Sequence, residues 1–185
     1  MKTKIIVLSA ILFIAFTSCK NESDSSKNST VSSATEIKAN FTVEVSAITD
    51  KDDNMTVYYT EDGTTNFDDS KALWGEIKAG KPDQKLVFQF PNEIIPKTLR
   101  LDFGIKRKEN QGNVTLKNIR LTCYNNNFNI KGSDFLTYFV KNDSIDTQID
   151  ANAGTITFKQ NLKNNAPAFF YPGAALDNEI AKLIK

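Results

Sequence analysis

The side chains available for catalysis or ligand binding in this chain are mainly carboxylates, amides and aromatic rings, because its 185 residues include no histidine and only two cysteines. Without histidine, neither a Ser-His-Asp triad nor a Cys-His pair can form, and the usual histidine-rich zinc sites are excluded. Cys123 falls on the apolar phase of a predicted strand, so we interpret it as a small buried residue, with a reactive thiol as the alternative. Carboxylate chemistry, hard-cation binding and binding without catalysis remain.

The segment at residues 50–54 is the candidate for cation binding, because Asp50, Asp52 and Asn54 occupy positions one, three and five of an EF-hand count, with Glu61 at twelve. Position six requires glycine for a sharp turn and is Met55, and a strand pattern follows, so an EF-hand is excluded. We interpret the segment as a solvated turn. A structural Ca²⁺ held by Asp50, Asp52 and Asn54 is the alternative, and no other cofactor is predicted. Three nearby carboxylates would supplement such a site: Asp62, Asp68 and Asp69.

Carboxylate catalysis has one candidate pair, Glu76 and Asp102, which lie near aromatic residues in the sequence. A glycosidase requires two carboxyl groups set about 5–10 Å apart across a cleft. Asp102 falls on the outward phase of its strand with Arg100 two residues away on the same face, which favours a surface ion pair. We therefore predict that the protein is not an enzyme.

Aromatic residues with polar neighbours favour carbohydrate binding, because sugar rings stack on aromatic faces and their hydroxyls bond to amides, carboxylates and guanidinium groups. Trp74, the only tryptophan, lies beside a long loop, and we interpret it as a core residue, with an exposed platform as the alternative. Tyr58 has the opposite phase to its apolar neighbours and is expected to face solvent or a sheet edge. Tyr124 precedes three asparagines, which we interpret as a turn, with a binding edge as the alternative. The predicted ligand-binding residues are Trp74, Tyr58, Tyr124, Asn126, Arg100 and Asp102.

Apolar residues at every second position predict the strands that position these side chains. Residues 85–124 contain three such runs, separated by turns with proline and glycine, and we predict that the runs form one wall of a β-sandwich. Runs at 41–45 and 55–59 predict a hairpin, and residues 72–77 a short strand after a long loop. Further strands are predicted at 128–130, 135–140, 145–149 and 155–158, the last two paired through a turn at 152–154.

The C-terminal residues 174–185 have apolar side chains at helical spacing, with Asp177 and Glu179 in the early turns, which predicts a short closing helix. Elsewhere short strands and turns follow one another without intervening helices. Residues 37–185 are therefore predicted to form a single all-β domain: an antiparallel, jelly-roll-like β-sandwich with a short C-terminal helix.

Four runs of the predicted sandwich resemble a known type of module: residues 74–77, 85–91, 99–104 and 114–121. They are similar to the sandwich modules of bacterial surface-polysaccharide proteins, which resemble carbohydrate-binding modules of the galactose-binding-like type. The resemblance extends over residues 40–185 and lies mainly in the pattern of core residues. It implies a β-sandwich that binds cell-surface or environmental glycans.

Residues 1–18 have the layout of a secretory signal peptide, with Lys2 and Lys4 before an apolar run too short to span a bilayer. Two small residues and then Cys19 follow this run, which resembles the lipobox of Bacteroidetes-type bacterial lipoproteins. That resemblance implies that Cys19 carries fatty acyl chains, such as palmitate, and begins the mature protein. An ordinary signal peptide with an incidental cysteine is the alternative. Residues 19–36 are rich in Ser, Asn and Thr and predict a flexible tether.

Lys20, directly after the cysteine, resembles the sorting pattern of outer-membrane lipoproteins, so we expect a lipid-anchored envelope protein on the surface or periplasmic face. Removal of the signal leaves 23 − 2 = 21 basic and 22 acidic residues. This near-neutral balance argues against a nucleic-acid partner. The predicted partners are the membrane, through the anchor, and a glycan. The alternative is a structural or accessory lipoprotein that docks another envelope protein.

Overall fold

The alternating apolar pattern forms eleven strands in the part of the chain that the structure, a computed structural model, describes: residues 40–82, 84–104, 111–161 and 168–185. The strands are β1 (Thr42–Thr49), β2 (Asp53–Thr60), β3 (Ala72–Ile77), β4 (Gln84–Gln89), β5 (Thr98–Phe103), β6 (Val114–Cys123), β7 (Asn126–Lys131), β8 (Phe139–Lys141), β9 (Ile145–Asp150), β10 (Thr155–Gln160) and β11 (Phe169–Pro172). Two helices accompany them, α1 (Phe135–Tyr138) and α2 (Ala174–Leu183).

The strands form two antiparallel sheets, which confirms the predicted β-sandwich. Sheet I has the order β4-β1-β6-β10-β9, and sheet II has the order β3-β2-β5-β11-β8. Strand β6 is long enough for two neighbours on one side, because β10 pairs with its first residues and β7 with its last. On its other side β6 pairs with β1 over nearly its whole length.

The inward side chains of both sheets form one apolar core. Five phenylalanines occupy part of it, each no more than 4% exposed: Phe103, Phe135, Phe139, Phe158 and Phe170. The rings of Phe135 and Phe139 stack with centroids 4.6 Å apart. Truncation of such a side chain to alanine typically costs about 3–5 kcal/mol of stability. Because the inward phase of sheet II is apolar, its remaining residues are directed to the opposite, outer face.

The hairpin predicted from the runs at 41–45 and 55–59 is wrong. Strand β1 pairs with β4 and β6 in sheet I, whereas β2 pairs with β3 and β5 in sheet II. The short connection between β1 and β2 therefore crosses from one sheet to the other. Alternation shows which residues of a strand face the core, but it carries no information about which strand lies beside it.

The three runs within residues 85–124 do not form one wall. Strands β4 and β6 lie on either side of β1 in sheet I, and β5 belongs to sheet II. Alternation again fails to distinguish the two sheets, because a strand in either one directs its apolar residues to the same shared core.

The strand predicted at 135–140 is wrong for its first four residues, where Phe135–Tyr138 forms the helical turn α1. The turn stacks Phe135 on Phe139, four residues later, which a straight strand cannot do. Gly132 precedes it and packs against β6 so closely that an added Cβ would lie 2.1 Å from the carbonyl oxygen of Leu116.

The strand predicted at 72–77, the pairing of β9 with β10 and the closing helix are confirmed. In α2, Leu176, Ile180 and Leu183 are buried, which is the predicted helical spacing. Strand β11 was not predicted, because its four residues are too few to establish a period. The predicted signal peptide, Cys19 and the whole of the predicted tether lie outside the described residues.

Candidate functional site

The outer face of sheet II carries a contiguous group of aromatic side chains around one arginine. We call this group the aromatic face and define it by six residues: Tyr58, Phe67, Trp74, Arg100, Phe169 and Tyr171. Pairing across the sheet determines its layout, because Trp74 lies opposite Thr56, Thr56 opposite Asp102, and Asp102 opposite Phe169. Tyr58 is two residues from Thr56 and is paired with Arg100, so it lies on the same face.

Arg100 is the centre of these contacts. Its guanidinium carbon lies 4.2 Å from the ring centroid of Tyr58, 5.1 Å from that of Phe169 and 5.6 Å from that of Phe67. These distances are within the range of cation–π attraction. Trp74 extends the group at one end, with its ring centroid 6.5 Å from that of Tyr58. Tyr171 extends it at the other end, with its ring centroid 5.0 Å from that of Phe169.

Asp102 holds Arg100 in this position through two hydrogen bonds. Arg100 Nε donates to Oδ1 at 2.8 Å and the terminal guanidinium nitrogen donates to Oδ2 at 2.6 Å, which is bidentate geometry. The side chains are only 19% and 13% exposed. Burial raises the pKa of Asp102 above its ordinary value, although the hydrogen bonds from Arg100 oppose the shift. The pair is thus a desolvated ion pair at the centre of an aromatic surface.

The loop between β2 and β3 is fastened to this face through Tyr58. The Tyr58 hydroxyl donates to Asp69 Oδ1 at 3.1 Å, and burial, followed by this bond, raises the pKa of Tyr58. Asp69 begins a 3₁₀ turn that Asp68 caps by accepting from the Ser70 amide at 2.8 Å. The loop thereby holds Phe67 beside Arg100 and Tyr171.

Trp74 is 55% exposed, so the interpretation of Trp74 as a core residue is wrong, and its ring lies at the surface as in the alternative. Tyr171 is 38% exposed, whereas Tyr58 is only 7% exposed and lies beneath the surface instead of facing solvent. Exposed rings therefore stand at the two ends of the aromatic face. Between them the Arg100–Asp102 pair offers hydrogen-bonding groups. This is the combination of flat apolar surface and directional polar groups that suits a hydroxylated ring.

A depression lined by polar and charged residues lies in the loop between β2 and β3, with a volume of about 340 Å³. It is lined by Thr60, Glu61, Asp62, Thr64, Asn66, Asp68 and Lys71. Backbone and side-chain hydrogen bonds from Thr64 lower the pKa of Asp62, and hydrogen bonds from Ser70 lower that of Asp68. Glu61 and Lys71 form an ion pair at 2.8 Å. These carboxylates act as acceptors that shape the loop.

The residues predicted to bind calcium are engaged in separate contacts. Asp50 accepts from the backbone and side-chain amides of Asn113 at 2.7 and 2.8 Å. Asp52 accepts from the Ala79 amide at 2.8 Å, in a different connection. In residues 40–82, 84–104, 111–161 and 168–185, no group of three or more His, Cys, Asp or Glu side chains is placed to hold a metal ion. Calcium binding by Asp50, Asp52 and Asn54 stays a prediction.

Two of the six predicted ligand-binding residues lie away from the aromatic face. Tyr124 is in the turn between β6 and β7, in sheet I, and has a positive φ of 53°, which supports the turn interpretation of this segment. The side-chain amide of Asn126 donates to the carbonyl oxygen of Leu183 at 3.0 Å and so ties the strand to the end of α2. The structure brings together the other four: Tyr58, Trp74, Arg100 and Asp102.

Three aromatic members of the face were not predicted: Phe67, Phe169 and Tyr171. Phe67 stands alone in a polar loop, where a single apolar residue carries no periodic signal. Phe169 and Tyr171 flank the buried Phe170, and this short alternation in β11 was the available signal.

Neither residue of the candidate catalytic pair is disposed as an acid or base. Both oxygens of Asp102 accept from Arg100. Glu76 is 71% exposed and pairs with Lys78 at 3.1 Å. Cys123 is buried, and burial raises the pKa of its thiol, which agrees with the small buried residue of the favoured interpretation.

No family model, curated protein or solved structure matches this chain. The resemblance to lipoproteins and to carbohydrate-binding modules therefore stays a prediction. Within the described residues, no helix has the length and apolar character needed to cross a membrane.

Proposed function

We propose that this protein is a non-catalytic, lipid-anchored envelope protein that binds glycans at the aromatic face. The observation that carries the proposal is the 55% exposure of Trp74 within a contiguous group of aromatic rings around a bidentate Arg100–Asp102 pair. An exposed tryptophan costs solubility, and a sheet needs no such residue on its solvent side. A hydroxylated ring stacked on Trp74 would remove its apolar surface from water and find hydrogen-bonding groups nearby.

The experiment is glycan-array binding by the full chain, kept in a detergent that carries no sugar group. Three forms are compared: the natural chain, Trp74→Ala and Val87→Ala. Val87 is the matched control, because it is 60% exposed and lies in β4 of sheet I. We expect the natural chain and Val87→Ala to bind the same glycans and Trp74→Ala to lose the signal. Absence of binding to every glycan, or equal binding by Trp74→Ala, would contradict the proposal.

The lipid anchor rests on residues 1–19 alone. Each buried CH₂ group contributes about 0.8 kcal/mol, so two or three acyl chains on Cys19 would attach the protein durably. Cys19→Ala is expected to abolish incorporation of a clickable palmitate analogue in cells. The natural chain should incorporate the label and fractionate with membranes. Undiminished labelling of Cys19→Ala would contradict the proposal that Cys19 carries the lipid anchor.

A second function, docking of another envelope protein, is favoured by sheet edges that no strand covers within the described residues. In that part of the chain, β4 and β9 end the strand order of sheet I, and β3 and β8 end that of sheet II. Three of these strands carry an exposed β-branched residue, namely Val87 at 60% in β4, Ile149 at 49% in β9 and Val140 at 57% in β8. Open edges of this type pair with added strands. Envelope cross-linking that depends on Val87 or Ile149, with no glycan binding, would favour docking over the first proposal.

A further inference from the structure

The positive charge of Arg100, at the centre of the aromatic face, is already balanced by Asp102. Arg100 gives two hydrogen bonds to Asp102, and the Tyr58 hydroxyl gives one to Asp69. An acidic ligand would have to displace Asp102 from Arg100 and would meet the second carboxylate, Asp69, nearby. The face therefore disfavours anionic ligands such as uronate-rich or sulfated glycans.

The same pair keeps unused hydrogen-bonding capacity. A guanidinium group has five N–H donors, of which the bidentate contact uses two, and a carboxylate accepts more than two bonds. The side chains of Arg100 and Asp102 are 19% and 13% exposed, so part of this capacity reaches the surface. Hydroxyl groups, which both donate and accept, match such a site without adding charge.

The two exposed rings set the length and direction of the ligand. Trp74 lies in β3 and Tyr171 in β11, which are separated by β2 and β5 in the strand order. Three gaps between neighbouring strands amount to about 14 Å at the usual spacing, and Tyr171 lies two residues along β11 from Phe169, the residue in line with Trp74. One sugar ring covers roughly one such gap, so a single sugar cannot contact both aromatic residues.

We propose that the aromatic face binds a linear, uncharged oligosaccharide that lies across the strands. One sugar ring stacks on Trp74, another stacks on Tyr171, and hydroxyls between them bond to the Arg100–Asp102 pair. This inference rests on the proposed glycan binding and adds to it the charge class, the minimum length and the direction of the ligand.

The test is a titration of the full chain, in sugar-free detergent, with neutral gluco- and manno-oligosaccharides of two to six units and with galacturonate oligosaccharides of the same lengths. Because Trp74 is the only tryptophan, intrinsic fluorescence reports stacking at that residue. We expect affinity to rise at least tenfold from the disaccharide to the length that reaches Tyr171, and then to stay level. Galacturonate oligosaccharides should bind at least tenfold more weakly.

Tyr171→Ala separates this inference from the proposed function. It should reduce affinity for the longest neutral chain about tenfold, to that of the disaccharide, and leave disaccharide binding unchanged. Tyr124→Ala is the control, because Tyr124 is also 38% exposed and lies away from the aromatic face, in the turn between β6 and β7 of sheet I. A Trp74 response without length dependence, insensitivity to Tyr171→Ala, or preference for galacturonate would overturn the inference while glycan binding stands. Absence of any response would contradict both.

Discussion

The outer faces of the two sheets differ although the same alternation forms both. On sheet I, Glu44 and Lys85 form an ion pair at 3.0 Å with side chains 28% and 62% exposed, and Thr115 and Thr157 share a hydrogen bond at 3.0 Å. On sheet II the corresponding ion pair, Arg100–Asp102, is largely desolvated and surrounded by aromatic rings. The first surface satisfies its polar groups with little burial, as a solvated face should.

The comparison shows that the aromatic face is not a by-product of sandwich folding. Desolvation of an ion pair often costs as much as the attraction returns, and exposed aromatic rings contribute little to stability. The outward ion pair of sheet I, between Glu44 and Lys85, forms with both side chains more exposed than those of Arg100 and Asp102. Local departures from stable design are expected where a protein binds something, so the contrast directs attention to sheet II.

The largest expected difference is in the free energy of unfolding lost when each of the two ion pairs is broken. Asp102→Ala leaves the guanidinium of Arg100 largely buried without its partner and should destabilise the fold by about 2–3 kcal/mol, below the fully buried range because the pair keeps some exposure. Glu44→Ala, the matched change on sheet I, should cost less than about 0.5 kcal/mol. Urea unfolding followed by circular dichroism measures both. Equal costs would show that the two faces have the same energetics.

Tyr58→Phe tests how the loop is held on the aromatic face. The variant keeps the ring beneath Arg100 and removes the hydroxyl that donates to Asp69, so we expect a loss of about 1 kcal/mol of stability. Hydrogen exchange should also accelerate in the segment around the 3₁₀ turn Asp69–Lys71. An unchanged exchange rate there would mean that other contacts position Phe67.

A smaller difference in the free energy of unfolding is expected between the valine variants of two threonines. Thr56 lies on the outer face of sheet II, fully buried, and its hydroxyl has no hydrogen-bond partner within the described ranges of the chain. Thr56→Val should therefore leave stability unchanged or raise it by up to about 1 kcal/mol. Thr157→Val on sheet I removes the bond to Thr115 and should lower stability by about 0.5–1 kcal/mol. Thermal unfolding of the two variants provides the comparison, and destabilisation by Thr56→Val would contradict it.

The smallest expected effect is the pH dependence of stability, to which Asp102 and Asp62 should contribute with opposite signs. Burial raises the pKa of Asp102, so the folded state binds its proton more tightly than the unfolded state does. Its contribution to stability is therefore full below its ordinary pKa and is lost as pH rises through the raised folded value. Asp62 has the opposite sign, because its lowered pKa contributes stability at higher pH that is lost as pH falls. Carboxyl-carbon NMR titration measures both, and Asp102 titrating at or below its ordinary value would contradict this assignment.

For much of the candidate site, the sequence predicted which face of its strand each residue occupies. The outward phase of Arg100 and Asp102 and the short strand that carries Trp74 followed from alternation, because a strand turns successive side chains to opposite sides. The ion pair between Arg100 and Asp102 also followed, since residues two apart on one strand share a face. Whether Trp74 was exposed did not follow, because Trp74 stands where a core role and a surface role have the same local pattern.

The order of residues along this chain thus determined most of the strands, the β class and the closing helix, because each depends on residues near in sequence, whereas the short β11 and the helical turn α1 escaped it. Which strands pair, which sheet each joins and which aromatic side chains meet were decided only by the tertiary fold. Strands β3, β2, β5 and β11 become neighbours by pairing between segments distant in the chain, and Phe67 reaches them through a loop. Contacts of this kind depend on packing across the whole core, and the alternation of apolar residues along a strand carries no information about that packing.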